Sequence, residues 1–139
     1  MAIEASLENR EQHHAVAVAT DGVVHELNIP PRHGGRGSSV NGGEVLCLAL
    51  ATCYCNDIYR EAKPRNIEVL RVNVDVRAEF GGAGQPAKHL SYRATVEARA
   101  PEKAIRELMQ HTDQVSEIQA TLRQGMKVHF EIAGALSVG

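Results

Sequence analysis

Three cysteines lie within nine positions of one apolar stretch, at Cys47, Cys53 and Cys55. A deprotonated thiol is a strong nucleophile and a metal ligand, so these residues are the first candidates for chemistry. On a straight helix Cys53 and Cys55 point to different sides, and Cys47 lies roughly 12 Å from Cys55 along the axis. A Cys-x-Cys pair on a helix is also poor metal geometry, and no nearby histidine completes a ligand set. We therefore predict neither a disulfide within this helix nor a metal site.

A carboxylate, Asp57, lies on the same helical face as Cys53. At 100° per residue, Leu46, Leu50, Cys53 and Asp57 form one stripe. A carboxylate beside a thiol raises the thiol pKa, whereas an arginine lowers it. Activation of Cys53 would therefore need a cation from elsewhere in the fold, such as Arg32 or Arg36. By sequence pattern alone, the role of a small buried apolar residue is favoured for Cys47 and Cys55, and for Cys53 as well.

The two arginines belong to a glycine-rich loop, PPRHGGRGSSVNGG at residues 30–43. Loops of this length inside a compact domain are often functional or mobile. The loop leads into a helix N-terminus, where free backbone N–H groups favour anions. It lacks the GK[ST] ending of a phosphate loop, so nucleotide binding would depend on Arg32, His33 and Arg36 alone, and a solvated loop is the alternative.

The cysteine-bearing stretch, residues 40–64, is the element that must position this chemistry. It is predicted to be a helix that is apolar nearly all round, and such a helix is buried on every side. Its apolar run is too short to span a bilayer. The few other elements of the chain cannot cover it completely. A second subunit is the simplest source of that cover, so we predict a homodimer.

The remaining elements indicate an α+β fold in one domain over residues 1–139. Three strands are expected within residues 2–29, with a hairpin turn at Asp21-Gly22 and Val23, His25, Leu27 and Ile29 as an inward face. Apolar and polar residues alternate over 70–80 and 90–98, which predicts a long hairpin with one dry face. Pro101 should open a second helix, and Ser116 should cap a shorter one that stops at Gly125. Met126, Val128, Phe130 and Ile132 are expected to form a last strand.

The composition indicates which partners are not expected and which cellular compartment fits the chain. The chain has 139 residues, is 43% hydrophobic and 23% charged, and carries a net charge of −2. This balance gives no reason to expect nucleic acid or a membrane as a partner, and the scarcity of aromatic residues disfavours base stacking. The N-terminus lacks the apolar core of a signal peptide. An odd, clustered set of cysteines fits reduced thiols in the cytoplasm better than a secreted disulfide framework.

Two short motifs and the element order resemble the OsmC/Ohr family, the osmotically inducible protein C and organic hydroperoxide resistance proteins. The motifs are Asn41-Gly42-Gly43-Glu44-Val45-Leu46 and Leu50-Ala51-Thr52-Cys53, and Ser116–Gly125 is faintly similar to a second family segment. The resemblance implies an intertwined homodimer with antiparallel sheets around long buried central helices. It also implies that one cysteine attacks an organic hydroperoxide, that a second resolves the sulfenic acid as a disulfide, and that no cofactor is needed.

Carried over residue by residue, the resemblance gives a modified site. The attacking cysteine corresponds to Cys53, but the resolving cysteine corresponds to Ser116, which cannot form a disulfide. Gly43 stands where the peroxidase branch has its glutamate, and Glu44 matches the glutamate of the broader OsmC-like branch. The peroxidase arginine belongs to an early turn that is Thr20-Asp21-Gly22 here, so its role is not transferred to Arg36.

Three alternatives follow for the function. The first is a one-cysteine peroxidase in which Cys53 becomes a sulfenic acid and an external thiol reduces it, with Glu44 as a further catalytic residue and Arg32, Arg36 and Ser116 as substrate-binding residues. The second is a non-catalytic homodimer that binds a small apolar or anionic molecule. The third is a merely structural dimer, which would enclose Cys53 fully.

Overall fold

The structure is a computed structural model that describes all 139 residues. The elements are β1 Ile3–Arg10, β2 His13–Thr20, β3 Val23–Leu27, α1 Gly42–Ala62, a short 3₁₀ turn Lys63–Arg65, β4 Glu68–Phe80, β5 Ala87–Arg99, α2 Glu102–Val115 and α3 Glu117–Gln124. The chain forms two compact units, Met1–Leu48 and Ala49–Gly139, and their boundary falls inside α1. The α+β class with antiparallel sheets is confirmed, whereas a single domain over residues 1–139 stays a prediction.

The first unit is a three-stranded antiparallel sheet in the order β1-β2-β3. The predicted Asp21-Gly22 turn joins β2 to β3, and both residues have positive φ values of 48° and 82°. Only glycine adopts this conformation without strain, and aspartate tolerates it better than most residues. This turn chemistry therefore sets the pairing of Thr20 with Val23.

The predicted inward face of β3 is wrong for the single chain. All five residues of β3 are exposed, including Val23, His25 and Leu27. Ile3 and Leu7 of β1 are exposed as well. No helix of this unit covers the sheet, so alternation along the strands does not produce burial there.

The glycine-rich loop ends at the start of α1. Within the first unit, the Asn9 side chain accepts the Gly37 N–H at 3.2 Å and donates to the Gly37 carbonyl at 3.3 Å. At the helix N-terminus, the Asn41 side chain accepts the Glu44 N–H at 2.8 Å, and the Glu44 carboxylate accepts the Asn41 N–H at 2.9 Å. This reciprocal pair is a capping box, which satisfies backbone donors that would otherwise lack partners.

The core of the second unit lies between α1, α2 and the β4–β5 hairpin. Tyr54, Ile58, Ala62 and Leu108 are buried together, and alternate residues of both strands pack against them. The predicted dry face is confirmed for Val72, Val74, Tyr92, Ala94 and Val96. Alternation along each strand and the helical spacing of Tyr54, Ile58 and Ala62 thus produce one common core.

Two irregularities change the register that strict alternation predicts for β4 and β5. The pairing shifts between Val69 and Arg71, so Val69 is partly buried and Leu70 is 46% exposed. A second shift lies near His89, whose φ is 52°. Each is a β-bulge, in which one extra residue moves the following side chains to the other face.

The helical part of the C-terminal half agrees with the sequence, but the last strand does not. Pro101 is the N-cap residue of α2, and α3 begins after Ser116 and stops at Gly125. Residues 125–139 form no helix or strand. Val128 and Phe130 are 94% and 89% exposed, so the apolar side chains of this segment are not buried within the chain.

Within one chain, α1 is not covered on every side as the sequence predicted. Only Leu50, Tyr54, Asp57, Ile58 and Ala62 are buried among its 21 residues. Val45, Leu48 and Tyr59 are largely exposed. None of the helices combines the length and apolar character that crossing a membrane requires.

Replacing Leu108 by alanine should destabilise the chain, because Leu108 is fully buried against the apolar face of α1. Loss of such a side chain typically costs about 2–5 kcal/mol of unfolding free energy. Urea denaturation followed by circular dichroism measures this loss. Leu122→Ala, at a side chain 37% exposed, is the control and should cost clearly less. Equal losses for the two variants would contradict this account of the core.

Candidate functional site

Cys53 lies on α1 at the edge of the buried face. Its neighbour Tyr54 points into the core, where its hydroxyl donates to the Met109 carbonyl at 2.9 Å. This anchoring fixes the rotation of the helix and leaves Cys53 partly exposed. Asp57, one turn later on the same stripe, is buried. The predicted pairing of Cys53 with Asp57 on one helical face is therefore present.

The Cys53 thiol contacts two carboxylates. Its Sγ atom donates to Asp57 Oδ2 at 3.3 Å and lies 3.8 Å from Glu117 Oε2, at the start of α3. Asp57 comes from the same helix as the thiol, since residues four apart are neighbours on a helix. Glu117 is brought there by the turn between α2 and α3.

A single guanidinium binds both of these carboxylates. Arg60 Nη1 lies 3.0 Å from Asp57 Oδ1 and 3.0 Å from Glu117 Oε1. Its Nε atom binds Glu61 Oε2, also at 3.0 Å. Each of the first two carboxylates thus places one oxygen on the arginine and the other towards Sγ. We call Cys53, Asp57, Arg60 and Glu117 the thiol cluster.

The surroundings of Cys53 favour the protonated thiol. Burial raises the pKa of Cys53, and the hydrogen bond to Asp57 and the charges of Asp57 and Glu117 raise it further. The Ile118 backbone N–H opposes this by stabilising a thiolate. Negative charge beside sulfur disfavours a second negative charge. Sequence analysis required a cation from elsewhere in the fold to activate Cys53, whereas Arg60 lies on the same helix and binds the carboxylates and not the sulfur.

The pKa of the Glu117 carboxyl is lowered, chiefly by its own backbone N–H and also by Arg60. Glu117 is therefore ionised at neutral pH. Its side chain is 59% exposed, so this carboxylate connects the cluster to solvent.

Three residues of the thiol cluster are of types that bind metal ions. One atom each of Cys53, Asp57 and Glu117 lies within 4.8 Å of the others. Both carboxylates are already bound to the Arg60 guanidinium, which supplies the positive charge that a cation would bring. The arrangement therefore fits an arginine-bridged acid pair.

Ser116, the residue at the position of the resolving cysteine, is fully buried. Its hydroxyl donates to the Thr112 carbonyl at 2.8 Å, one turn back in α2. It is the N-cap residue of α3 as predicted, but its side chain makes no capping bond. In this conformation Ser116 does not offer its hydroxyl to a molecule arriving from solvent.

The other predicted site residues belong to the first unit. Glu44 takes part in the capping box with Asn41, and Arg32 and Arg36 are exposed in the glycine-rich loop. The catalytic role of Glu44 and the substrate-binding roles of the two arginines stay predictions. The groups that shift the pKa of Cys53 all belong to the second unit.

Sequence analysis missed Arg60 and Glu117. Arg60 could have been found, because it lies seven residues after Cys53 and three after Asp57, on the same helical face. Glu117 follows directly after Ser116, but it is 64 residues from Cys53, and no local pattern indicates that contact.

A second polar group lies on the second unit, along a cleft of about 650 Å³. The Tyr92 hydroxyl donates to Asp113, and Arg123 binds the same carboxylate oxygen at 2.8 Å. Tyr54 and Met109 add apolar surface to the lining. This cleft therefore combines an aromatic wall with a few converging polar groups, as ligand pockets do.

The family profile described as OsmC-like protein matches residues 35–131. No curated protein sequence matches the chain significantly. Among solved structures, an OsmC-like protein from Mycoplasma pneumoniae has a TM-score of 0.62 at 17% identity, covering 88% of this chain and 86% of that one. The organic hydroperoxide resistance protein OsmC of Legionella pneumophila has a TM-score of 0.52 at 18% identity, covering 88% and 90%.

A third similar structure is an OsmC-like hydroperoxide resistance protein from Jannaschia sp. CCS1, with a TM-score of 0.53 at 14% identity and coverage of 96% and 93%. At these identities the structures support the fold and not an activity. The family match spans most of the chain, including α1, the thiol cluster and α3. This chain belongs to the OsmC-like protein family.

Proposed function

We propose that this protein reduces organic hydroperoxides, with Cys53 as its one reacting thiol. The observation that carries the proposal is the thiol cluster: a partly exposed cysteine hydrogen-bonded within a charged group, in contrast to a cysteine enclosed by apolar side chains. Family membership supports it, as do the similar folds of the hydroperoxide resistance proteins from Legionella and Jannaschia.

The proposed reaction needs an external thiol to complete the cycle. Attack by sulfur on the peroxide converts Cys53–SH and ROOH to Cys53–SOH and ROH. One external thiol then displaces water to give a mixed disulfide, and a second releases reduced Cys53. Ser116 cannot replace the first of these thiols, and the cycle presupposes a reducing compartment such as the predicted cytoplasm.

A homodimer is part of the proposal. Large apolar side chains of β1, β3 and the first half of α1 are exposed in the single chain, and so is the C-terminal segment. Residues 126–132 alternate between apolar and polar types, as in a strand with one buried face. We infer that a second copy covers these surfaces. That copy would also be the source of any contribution from Glu44, Arg32 or Arg36 to the site.

Non-catalytic binding of a small molecule is the second candidate. The raised pKa of Cys53 favours it, since a thiol that stays protonated is a poor nucleophile. The cleft beside Tyr92 and Arg123 would be the place for an apolar or anionic ligand. The purely structural alternative required a fully enclosed Cys53, whereas this thiol is partly exposed.

The alkylation rate of Cys53 should keep rising with pH through the usual thiol pKa of about 8.5. The reason is that burial, Asp57 and Glu117 all raise the pKa of this thiol, so the thiolate forms only in more alkaline solution. Iodoacetamide alkylation of Cys47→Ser/Cys55→Ser protein, followed by mass spectrometry, measures the profile. A midpoint below pH 7 would contradict the expectation and indicate a cation supplied by a second copy.

Oxidation by cumene hydroperoxide should be confined to Cys53 and should be faster than oxidation by hydrogen peroxide. Cys53→Ser should abolish peroxide consumption in the presence of an external thiol, because it removes the nucleophile. Cys55→Ser, on the same helix, is the matched control and should retain the activity. Slow oxidation spread evenly over the three cysteines would refute the enzyme proposal and leave ligand binding as the function.

Light scattering should give about twice the chain mass of 15.1 kDa. Phe130→Glu should shift the protein towards the monomer, because it places a charge on the apolar face of the C-terminal segment. His129→Glu places the same charge on the alternate face and should leave the mass unchanged. A monomeric parent protein, or equal effects of the two substitutions, would count against the proposed dimer.

A further inference from the structure

The thiol cluster has an arrangement that a purely structural ion pair would not need. Asp57 and Glu117 each bind Arg60 through one oxygen, at 3.0 Å in both cases. Their other oxygens lie 3.3 Å and 3.8 Å from Cys53 Sγ. Two fixed proton acceptors therefore face the sulfur, and the arginine holds both in place.

The two acceptors differ in their access to water. The Asp57 side chain is 8% exposed and is the nearer acceptor, whereas that of Glu117 is 59% exposed. A proton taken up by Asp57 would be shielded from bulk water at the reacting sulfur.

We propose that Asp57 accepts the Cys53 thiol proton as sulfur attacks the peroxide and then donates it to the leaving oxygen. Arg60 is a positioning residue, which holds the Asp57 carboxylate against the thiol. The inference rests on the proposed peroxide reduction and adds to it a catalytic residue that neither the predicted site nor the family resemblance contained.

The bonds, electrons and proton of this step are all supplied by the thiol cluster and the peroxide. The S–O bond forms while the O–O bond breaks, and sulfur is oxidised by two electrons as the peroxide is reduced. The thiol proton passes to Asp57 and from there to the alkoxide, which leaves as an alcohol. Asp57 gains one proton and gives one up, so it is unchanged at the end of the step, and Cys53 ends it as the sulfenic acid.

This role resolves a conflict in the electrostatics of the site. A carboxylate beside a thiol lowers the fraction of thiolate, which by itself would slow the reaction. A base in hydrogen-bond contact removes the need for a preformed thiolate, because proton transfer accompanies the attack. An alkoxide is also a poor leaving group unless it is protonated, so returning the proton assists the breaking of the O–O bond.

Asp57→Asn separates the two effects of the carboxylate. In a Cys47→Ser/Cys55→Ser background, the rate of Cys53 oxidation by cumene hydroperoxide is divided by its rate of alkylation by iodoacetamide at pH 7. Iodide leaves without a proton, so alkylation reports thiolate formation and access, whereas oxidation also needs the proton delivery. Removing the charge should speed alkylation, and the ratio should fall about tenfold or more, the lower end of general acid–base effects.

Glu61→Gln is the matched control. It also removes a carboxylate partner of Arg60, but its own contacts are with Arg60, Arg65 and His111, not with the thiol. The ratio should stay at its wild-type value in this variant. An unchanged or increased ratio in Asp57→Asn, whatever the direction of the two separate rates, would overturn the proposed proton transfer.

The role of Arg60 is tested with the same ratio. Arg60→Gln should lower it because Asp57 is no longer held, and Arg60→Lys should restore part of the loss by keeping a cation between the carboxylates. Equal ratios in the two variants and the parent would overturn the positioning role.

Turnover with an external thiol is measured separately. If the parent protein shows no turnover, the proposed function fails. The role of Asp57 is then still tested by the same ratio, with the rate of single-turnover oxidation of Cys53 by hydrogen peroxide divided by the rate of alkylation.

Discussion

The packing of α1 against α2 and the β4–β5 hairpin sets the geometry of the second unit. Tyr54 and Ile58 of α1 are buried against Leu108, and this burial fixes which way the helix is rotated. With Tyr54 turned inward, Cys53 is left at the edge of the core, partly exposed. The character of the candidate site therefore follows from a hydrophobic contact that contains none of its reactive groups.

The raised pKa of the Cys53 thiol is a constraint that any function of this site must satisfy. Helical spacing alone places Asp57 beside Cys53, and the α2–α3 turn adds Glu117. Both carboxylates and the burial of the sulfur raise the pKa of Cys53, and Arg60 offsets the charge of the acids without contacting sulfur. A peroxidase built on this site must therefore move a proton, whereas a binding protein could leave the thiol unreactive.

The apolar side chains are covered in some parts of the chain and exposed in others. In the second unit the alternating faces of β4 and β5 are covered by helices of the same unit. In the first unit β3 is exposed throughout, and in the second unit the C-terminal segment has an alternating pattern but forms no strand. Alternation records which side of a strand is suited to burial, but it does not say which chain supplies the cover. The exposed apolar side chains of these surfaces are the reason why a homodimer is part of the proposed function.

The sequence by itself determined the local structure: the Asp21-Gly22 turn, the dry faces of β4 and β5, the helix that holds Cys53 and the contact between Cys53 and Asp57. Each depends on backbone preferences or on residues a few positions apart, which a periodic pattern records. Only the tertiary structure decided that β-bulges expose Leu70, that Ser116 is buried, and that Glu117 joins Arg60 at the thiol. These outcomes depend on how distant elements pack, and side-chain neighbours 57 or 64 residues apart leave no trace in local spacing.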